Sequence, residues 1–188
     1  MKTKKELRKE ILSLRREMPA EEVERLSAMI CETVKKQKEY KEAEKICLYM
    51  PINNEADASM LAEPAREDGK EVYIPKVTGD VMVFNLYDPE GAMHEGAFHI
   101  QESESDVILD TEDRVLIIMP GSVFDRSCGR IGYGGGYYDK YLAAHPGCKT
   151  AAICYSFQII DGKLPSEEHD IDPDMVVCEN EVIRREDQ

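Results

Sequence analysis

Apolar residues recur at Leu7, Ile11, Leu14 and Met18, four positions at helical spacing, and predict a helix at the start of the chain with that stripe turned inward. Lys4, Arg8 and Arg15 fall on a second, basic stripe of the same helix. Pro19 ends the run and suits the first turn of a second helix, in which Val23, Leu26, Ile30 and Val34 keep helical spacing to about Lys38. The pattern then shortens. "KICLYMP" (45–51) is a compact apolar run closed by proline and reads as a buried strand. "DASMLAEPAREDGK" reads as a helix closed by Gly69, with Pro64 disturbing its middle. "EVYIPKV" (71–77) and "MVFNLY" (82–87) read as strands. "RVLIIMPG" (114–121) is the most apolar run and is expected at the centre of a sheet. A helix from about Tyr137 to Ala144, strand "TAAICYS" (150–156) and a last strand "MVVCE" (175–179) follow. Strands alternating with helices in the second half predict βαβ units. The expected fold is α/β: one Rossmann-like domain over residues 1–188, with a largely parallel sheet flanked by helices and the N-terminal helices packed on it.

Composition narrows the class. A hydrophobic share of 42% against 33% charged residues is that of a folded globular chain rather than a disordered one. No apolar run approaches the roughly 20 residues of a membrane span, and "MKTKKELRKEILSLRREM" lacks the apolar block of a signal peptide. A cytoplasmic protein without a membrane partner is expected. The six cysteines form no CxxC pair, and His94, His99, His145 and His169 form no HxH or HxxxH pair, so neither zinc nor a disulfide framework is expected. The net charge of −14 argues against nucleic acid as a partner. It is unevenly spread: residues 1–45 hold 13 basic and 10 acidic side chains. That basic segment is either an ordinary solvated helix surface or a contact for an anionic ligand.

The stretch "RIGYGGGYYDK" (130–140) carries the candidate chemistry. Gly132, Gly134, Gly135 and Gly136 crowd into five positions between an apolar strand and a helix. Open α/β sheets gather ligands at the carboxyl ends of their strands, and helix N-termini attract phosphate. The loop is therefore either an anion site or a tight glycine turn. It is not a Walker loop, because no Lys-Ser/Thr follows, and not a dinucleotide fingerprint, because Tyr137 holds the third glycine position. Arg126, Arg130 and Lys140 flank the loop amides. Asp139 offers a hard oxygen ligand for a divalent cation. Asp170, Asp172 and Asp174 alternate before the last strand, as metal ligands or as a polar turn.

Extended upstream, the stretch reads "MPGSVFDRSCGRIGYGGGYYDKYL" and resembles the 5-formyltetrahydrofolate cyclo-ligase (methenyltetrahydrofolate synthetase) family. The family pattern is approximately PG-x-x-FD-x-x-G-x-R-L-G-x-G-x-G-YYD, and Ile131 stands in place of its leucine. "KKELRKEILSLRREM", "LYMPINNEADASML" and "LPSEEHDIDPDMVV" resemble its opening, second and closing blocks. The resemblance implies an ATP- and Mg²⁺-dependent enzyme that converts 5-formyltetrahydrofolate to 5,10-methenyltetrahydrofolate and releases ADP and phosphate. The formyl oxygen is phosphorylated, N10 attacks the activated carbon, and phosphate leaves. Such chemistry asks for positioning and charge stabilisation, not for a protein nucleophile. By the same resemblance Lys4, Lys5 and Arg8 contact ATP, and Arg130, Ile131, Gly132, Tyr133, Gly134, Gly135, Gly136, Tyr137 and Tyr138 wrap its phosphates. Asp139 and Asp170 hold Mg²⁺. Met50, Glu55, Tyr133, Gly134, Gly135 and Gly136 meet the folate. Gly135 stands where some members carry a basic residue, so phosphate binding rests on backbone amides, Arg130 and Lys140. A monomer with small-molecule partners is expected. Two other readings of the loop stay open: a different ATP-dependent phosphotransferase acting on a small anion, and a nucleotide-binding domain without turnover.

Overall fold

The structure is a computed structural model describing residues 2–96 and 100–186; His99 lies outside them. The N-terminal half opens with α1 (Lys4–Arg16), α2 (Ala20–Lys36) and α3 (Lys38–Glu42). Then come β1 (Lys45–Cys47), a 3-10 turn (Ala58–Leu61) running into α4 (Ala62–Glu67), β2 (Glu71–Thr78), β3 (Val81–Leu86), β4 (Met93–Glu95) and β5 (Gln101–Ser103). The remainder comprises β6 (Val115–Met119), β7 (Val123–Asp125), β8 (Arg130–Ile131), α5 (Tyr137–Ala144), β9 (Lys149–Ile153), β10 (Ile159–Ile160), β11 (Met175–Val177) and β12 (Val182–Arg184).

Seven strands form the main sheet in the order β12-β11-β9-β6-β1-β2-β3. The five inner strands are parallel, and antiparallel β3 and β12 close the two edges. The expected α/β fold with a largely parallel sheet is the observed one. β6 sits at its centre, and all five of its residues are buried. Its side chains alternate between the faces: Leu116 and Ile118 join the core under α2 and α4, while Val115, Ile117 and Met119 join the core on the α5 side. Two-sided burial is why this stretch reads as a continuous apolar run.

Several expected boundaries differ. The strand at 45–51 pairs only over Lys45–Cys47, although the Leu48 amide still donates to the Tyr73 carbonyl at 2.8 Å. The helix at 57–70 is a 3-10 turn followed by a short α-helix, so Pro64 falls in a first turn rather than an interior, where its missing N–H costs nothing. Pro19 is the N-cap of α2, one position earlier than expected. Between β9 and β11 lie one 3-10 turn (Ser156–Gln158), the short β10 and a loop, not a crossover α-helix. The β4–β5 hairpin and the small sheet β10-β7-β8 had no sequence signal strong enough to predict them.

That small sheet matters because α1 packs on it. Leu7 and Ile11 bury against Val123, Ile131 and Leu164, while α2 packs on the main sheet. The predicted inward stripe on α1 is wrong at one position: Leu14 is 50% exposed and Arg15 is 1% exposed in its place. Thr3 caps α1 with a capping box to Glu6, which fixes where the basic helix begins. All six cysteines are buried free thiols. No helix among the described residues is long and apolar enough to cross a membrane.

The turn between β7 and β8 is organised by Asp125, 1% exposed. Its carboxylate accepts from the amides of Ser127 (2.8 Å), Gly129 (2.8 Å) and Leu164 (2.7 Å). Burial alone would raise its pKa, but these amides outweigh it and hold the carboxyl below the ordinary value. The contribution is therefore present above the unfolded-state value of about 3.9 and is lost as pH falls through the folded one. Asp125→Asn is expected to cost roughly 1.5–3 kcal/mol at neutral pH, the range for hydrogen bonds to a charged group. It should also flatten the loss of stability below about pH 4; urea melts of both proteins at neutral and acid pH check this.

Candidate active site

The glycine loop begins where β8 ends and finishes at α5, over the carboxyl ends of the inner strands. Three of the strand ends contact the loop or its flanks. After β6, the Pro120 carbonyl accepts from Arg130 Nη1 at 3.3 Å. After β2, the Gly79 carbonyl accepts from the Tyr137 hydroxyl at 3.3 Å. After β1, Glu55 accepts from the Tyr133 hydroxyl. Gly134 has φ +98° and Gly136 φ +65°, so the loop passes twice through backbone space that favours glycine. Gly136 is the residue that starts α5.

Helix α1 lies against this loop. Arg8 Nε donates to the Gly132 carbonyl at 2.9 Å, and Lys4 pairs with Asp170 at 2.6 Å and Glu167 at 3.1 Å. Burial works against the Asp170 carboxylate, yet the Lys4 ammonium and the Glu167 amide outweigh it and hold its pKa below the usual range. Arg130, 9% exposed, gives Nη2 to Asp139 Oδ1 at 2.8 Å, and the Ile171 amide donates to that same oxygen at 3.0 Å. Residues 4, 8, 130, 132, 139 and 170 are thus joined by a chain of contacts at one end of the sheet. Lys5 is exposed and Met50 half-buried. Tyr138 has its hydroxyl buried without a partner among the described residues, and burial raises its pKa.

Some expected neighbours lie elsewhere. Arg126 is committed to Glu181 (3.0 Å) and Asp161 (3.9 Å) rather than to the loop amides. Asp174 receives the Thr150 amide (2.9 Å) and Arg185 (2.8 Å), a structural tie between the start of β9 and the end of the chain. Asp172, unlike Asp170, has its pKa raised by burial.

The residue that sequence reasoning underrated is Arg15. Its Nε donates to the Asn53 carbonyl at 3.0 Å and its Nη1 to the Tyr133 hydroxyl at 2.6 Å, with Glu55 at 3.9 Å. Asn53 and Asn54 both adopt left-handed backbone (φ 50° and 58°), which Asn tolerates better than most side chains. Asn54 Nδ2 donates back to the Arg15 and Met18 carbonyls at 3.1 and 3.2 Å. Glu55 is 4% exposed; burial raises its pKa against the opposing pull of Tyr133, the Ile52 amide and Arg15. The adjacent "NN" was the only local hint of this junction.

A left-handed glycine loop over parallel strand ends, closed by a basic helix and carboxylates, defines an α/β protein with a candidate anion site. Residues 1–179 match the 5-formyltetrahydrofolate cyclo-ligase family. The chain is 31% identical to a probable 5-formyltetrahydrofolate cyclo-ligase of Schizosaccharomyces pombe over 175 residues, covering 84% of this chain and 86% of that one. It is 28% identical to the mouse 5-formyltetrahydrofolate cyclo-ligase, covering 94% of each. The solved structure of Aquifex aeolicus 5,10-methenyltetrahydrofolate synthetase superposes with a TM-score of 0.85 at 34% identity, covering 98% of this chain and 94% of that one. The Mycoplasma pneumoniae 5,10-methenyltetrahydrofolate synthetase, at 24% identity and TM-score 0.73 over 97% of this chain and 99% of that one, shares the fold. This chain belongs to the 5-formyltetrahydrofolate cyclo-ligase family and is an enzyme of the ligase class.

The two left-handed glycines should respond differently to substitution. Gly136 lies in the region Asn also visits, and a Cβ there meets nothing within 4 Å. Gly134, at φ +98°, lies outside it. Gly136→Asn is expected to melt within about 1 kcal/mol of the parent, whereas Gly134→Val should lose about 1–3 kcal/mol through backbone strain. Parallel urea melts distinguish the two.

Proposed function

We propose that this chain closes 5-formyltetrahydrofolate to 5,10-methenyltetrahydrofolate with ATP and Mg²⁺, working as one cytoplasmic, monomeric domain with small-molecule partners only. The observation that carries the reading is the convergence of α1, the glycine loop and the two aspartates at the carboxyl end of the sheet. Lys4, Arg8 and Arg130 supply cations, and the loop supplies amides from backbone that passes twice through the left-handed region. In this reading the formyl oxygen takes the γ-phosphoryl group and ADP departs. N10 then attacks the activated carbon, the carbon–oxygen bond breaks, and phosphate leaves with N10 losing its proton. The protein holds the two reactants in line and stabilises moving negative charge.

Mg²⁺ keeps several waters and takes one or two carboxylates together with substrate phosphates. Among the described residues no cluster of three or more His, Cys, Asp or Glu side chains forms a protein-only metal cage. Asp139 and Asp170 each use one oxygen internally, as acceptors for Arg130 and Lys4. Two such carboxylates fit an ion shared with a nucleotide; the ion would screen phosphate charge during transfer. Glu55, just past β1, is the acceptor proposed for the N–H edge of the pterin, with Tyr133 bonded to it and Met50 proposed as a further folate contact.

Incubation with 5-formyltetrahydrofolate, ATP and Mg²⁺, followed in the near-ultraviolet for the methenyl product, tests the function. Product that requires both ATP and the metal is expected. ATP hydrolysis without product would move the chain to a phosphotransferase on another anion, and ATP binding without turnover would make it a sensor.

The cations of α1 test the nucleotide half. The Lys4→Ala, Arg8→Ala double variant is expected to weaken ATP binding by roughly 2 kcal/mol or more, the scale of lost charge-assisted hydrogen bonds. Because Lys4 is paired with part-buried Asp170, the melting temperature should also fall, by a few degrees. Calorimetric titration and a thermal melt on the same sample check both, and ATP affinity equal to the parent's would return α1 to a structural role.

A further inference from the structure

Arg15 has the features of a residue built into the substrate site without touching substrate. A guanidinium at 1% exposure is costly, and Nη2 has no hydrogen-bond partner among the described residues. Its remaining donors fix two things. Nε holds the Asn53 carbonyl, and Nη1 holds the Tyr133 hydroxyl, which itself donates to Glu55. Tyr133 is therefore gripped at its hydroxyl from two sides, by a donor and an acceptor. Its ring is otherwise open: the residue is 40% exposed, and Arg15 lies 5.6 Å from the ring centroid. A phenol held this way has its donor and acceptor roles fixed and its ring plane restrained, so it presents a flat face beside a held carboxylate.

We infer that Arg15 is a positioning residue for the folate, setting the ring plane of Tyr133 and the carboxylate of Glu55 for a flat heterocycle with N–H donors on one edge. The inference rests on the proposed function. It concerns one half of the ligand set only. The nucleotide half is served by Lys4 and Arg8, two to three turns away on the same helix. Lysine cannot replace Arg15, because a point charge does not span Asn53 and Tyr133 as a planar fork does.

The test measures binding of 5-formyltetrahydrofolate and of ATP by calorimetry for the parent, Arg15→Met, Arg15→Lys, Tyr133→Phe and the Arg15→Met, Tyr133→Phe double variant. Each arginine variant and Tyr133→Phe should weaken folate binding about tenfold, while in the arginine variants ATP affinity stays within about twofold. The double variant should be no weaker than the poorer single one, because both changes break one relay. Additive losses, or folate affinity unchanged in Arg15→Lys and Tyr133→Phe, overturn the inference. So does an equal loss for both ligands, which would make Arg15 only the anchor of α1. Should Arg15→Met fail to fold, the Arg15→Lys, Tyr133→Phe cycle reads the same coupling. A parent that binds ATP but no reduced folate overturns the proposed function itself, and the inference with it.

Discussion

The burial of Arg15 is the constraint on which the Tyr133–Glu55 half of the site depends. The apolar grip of α1 on the small sheet is short, consisting of Leu7 and Ile11, and two aliphatic contacts do not fix how a helix is rotated about its axis. A directional cation does. Arg15 can satisfy Nε and Nη1 only if the Asn53 carbonyl and the Tyr133 hydroxyl are both in place, and Asn54 ties back to the last turn of α1. Three segments distant in sequence are therefore locked by one planar group: the first helix, the loop after β1 and the glycine loop. The cost of desolvating the guanidinium is offset by those bonds and by Glu55. Arg8 at Gly132 and Lys4 at Asp170 are separate directional contacts, about two to three turns nearer the start of the helix.

The carboxyl ends of the parallel strands explain where this assembly forms. A parallel sheet delivers every strand end to one edge, and the loops leaving it have carbonyls that the ladder no longer satisfies. The Pro120 and Gly79 carbonyls meet the glycine loop through Arg130 and Tyr137, while the Gly121 and Ser122 carbonyls accept from the buried Gln158 side chain. The loop is thus seated on rigid elements rather than suspended from its own ends. That seating suits the proposed phosphoryl transfer, which would proceed without a protein nucleophile. The buried thiols agree: burial raises the pKa of every cysteine, which keeps them in the inert protonated form.

What could be read from the sequence was set by how local its cause is. β6 and α5 were legible because two-sided burial writes a continuous apolar run and a glycine loop marks a helix start. β7, β8 and β10 are two or three residues each and exist because Asp125 folds the turn between the first two and captures the Leu164 amide from far along the chain. No local pattern encodes that. Arg15 was misplaced for a related reason. At 100° per residue, positions 14 and 15 straddle the line through Leu7 and Ile11, so period alone is ambiguous. Hydrophobicity then favours Leu14, and only the partners on two other segments reverse the choice. The glycine loop, Asp139 and Asp170 stood out as candidates by residue type and place, with a plain turn as the alternative; the role of Glu55, and the particular ligand of each residue, came from the resemblance alone.

The ion pairs at the site constrain what can enter it. Lys4–Asp170 and Arg130–Asp139 are both part-buried, with side-chain exposures from 5% to 22%. Separating such a pair leaves a charge without its partner in a partly desolvated place, which is strongly unfavourable. An anion that claimed Lys4 and Arg130 alone would strand two carboxylates, and the acidic body of the protein would add to the repulsion. A divalent cation that claimed the carboxylates alone would strand the two cations. In the proposed function a polyphosphate carrying its own divalent cation would do neither: its oxygens would stand in for the carboxylates around Lys4 and Arg130, and the cation would balance the charge of Asp139 and Asp170. Charge balance therefore supports the proposed metal–nucleotide complex over either component alone, through four side chains that no single motif in the sequence contains.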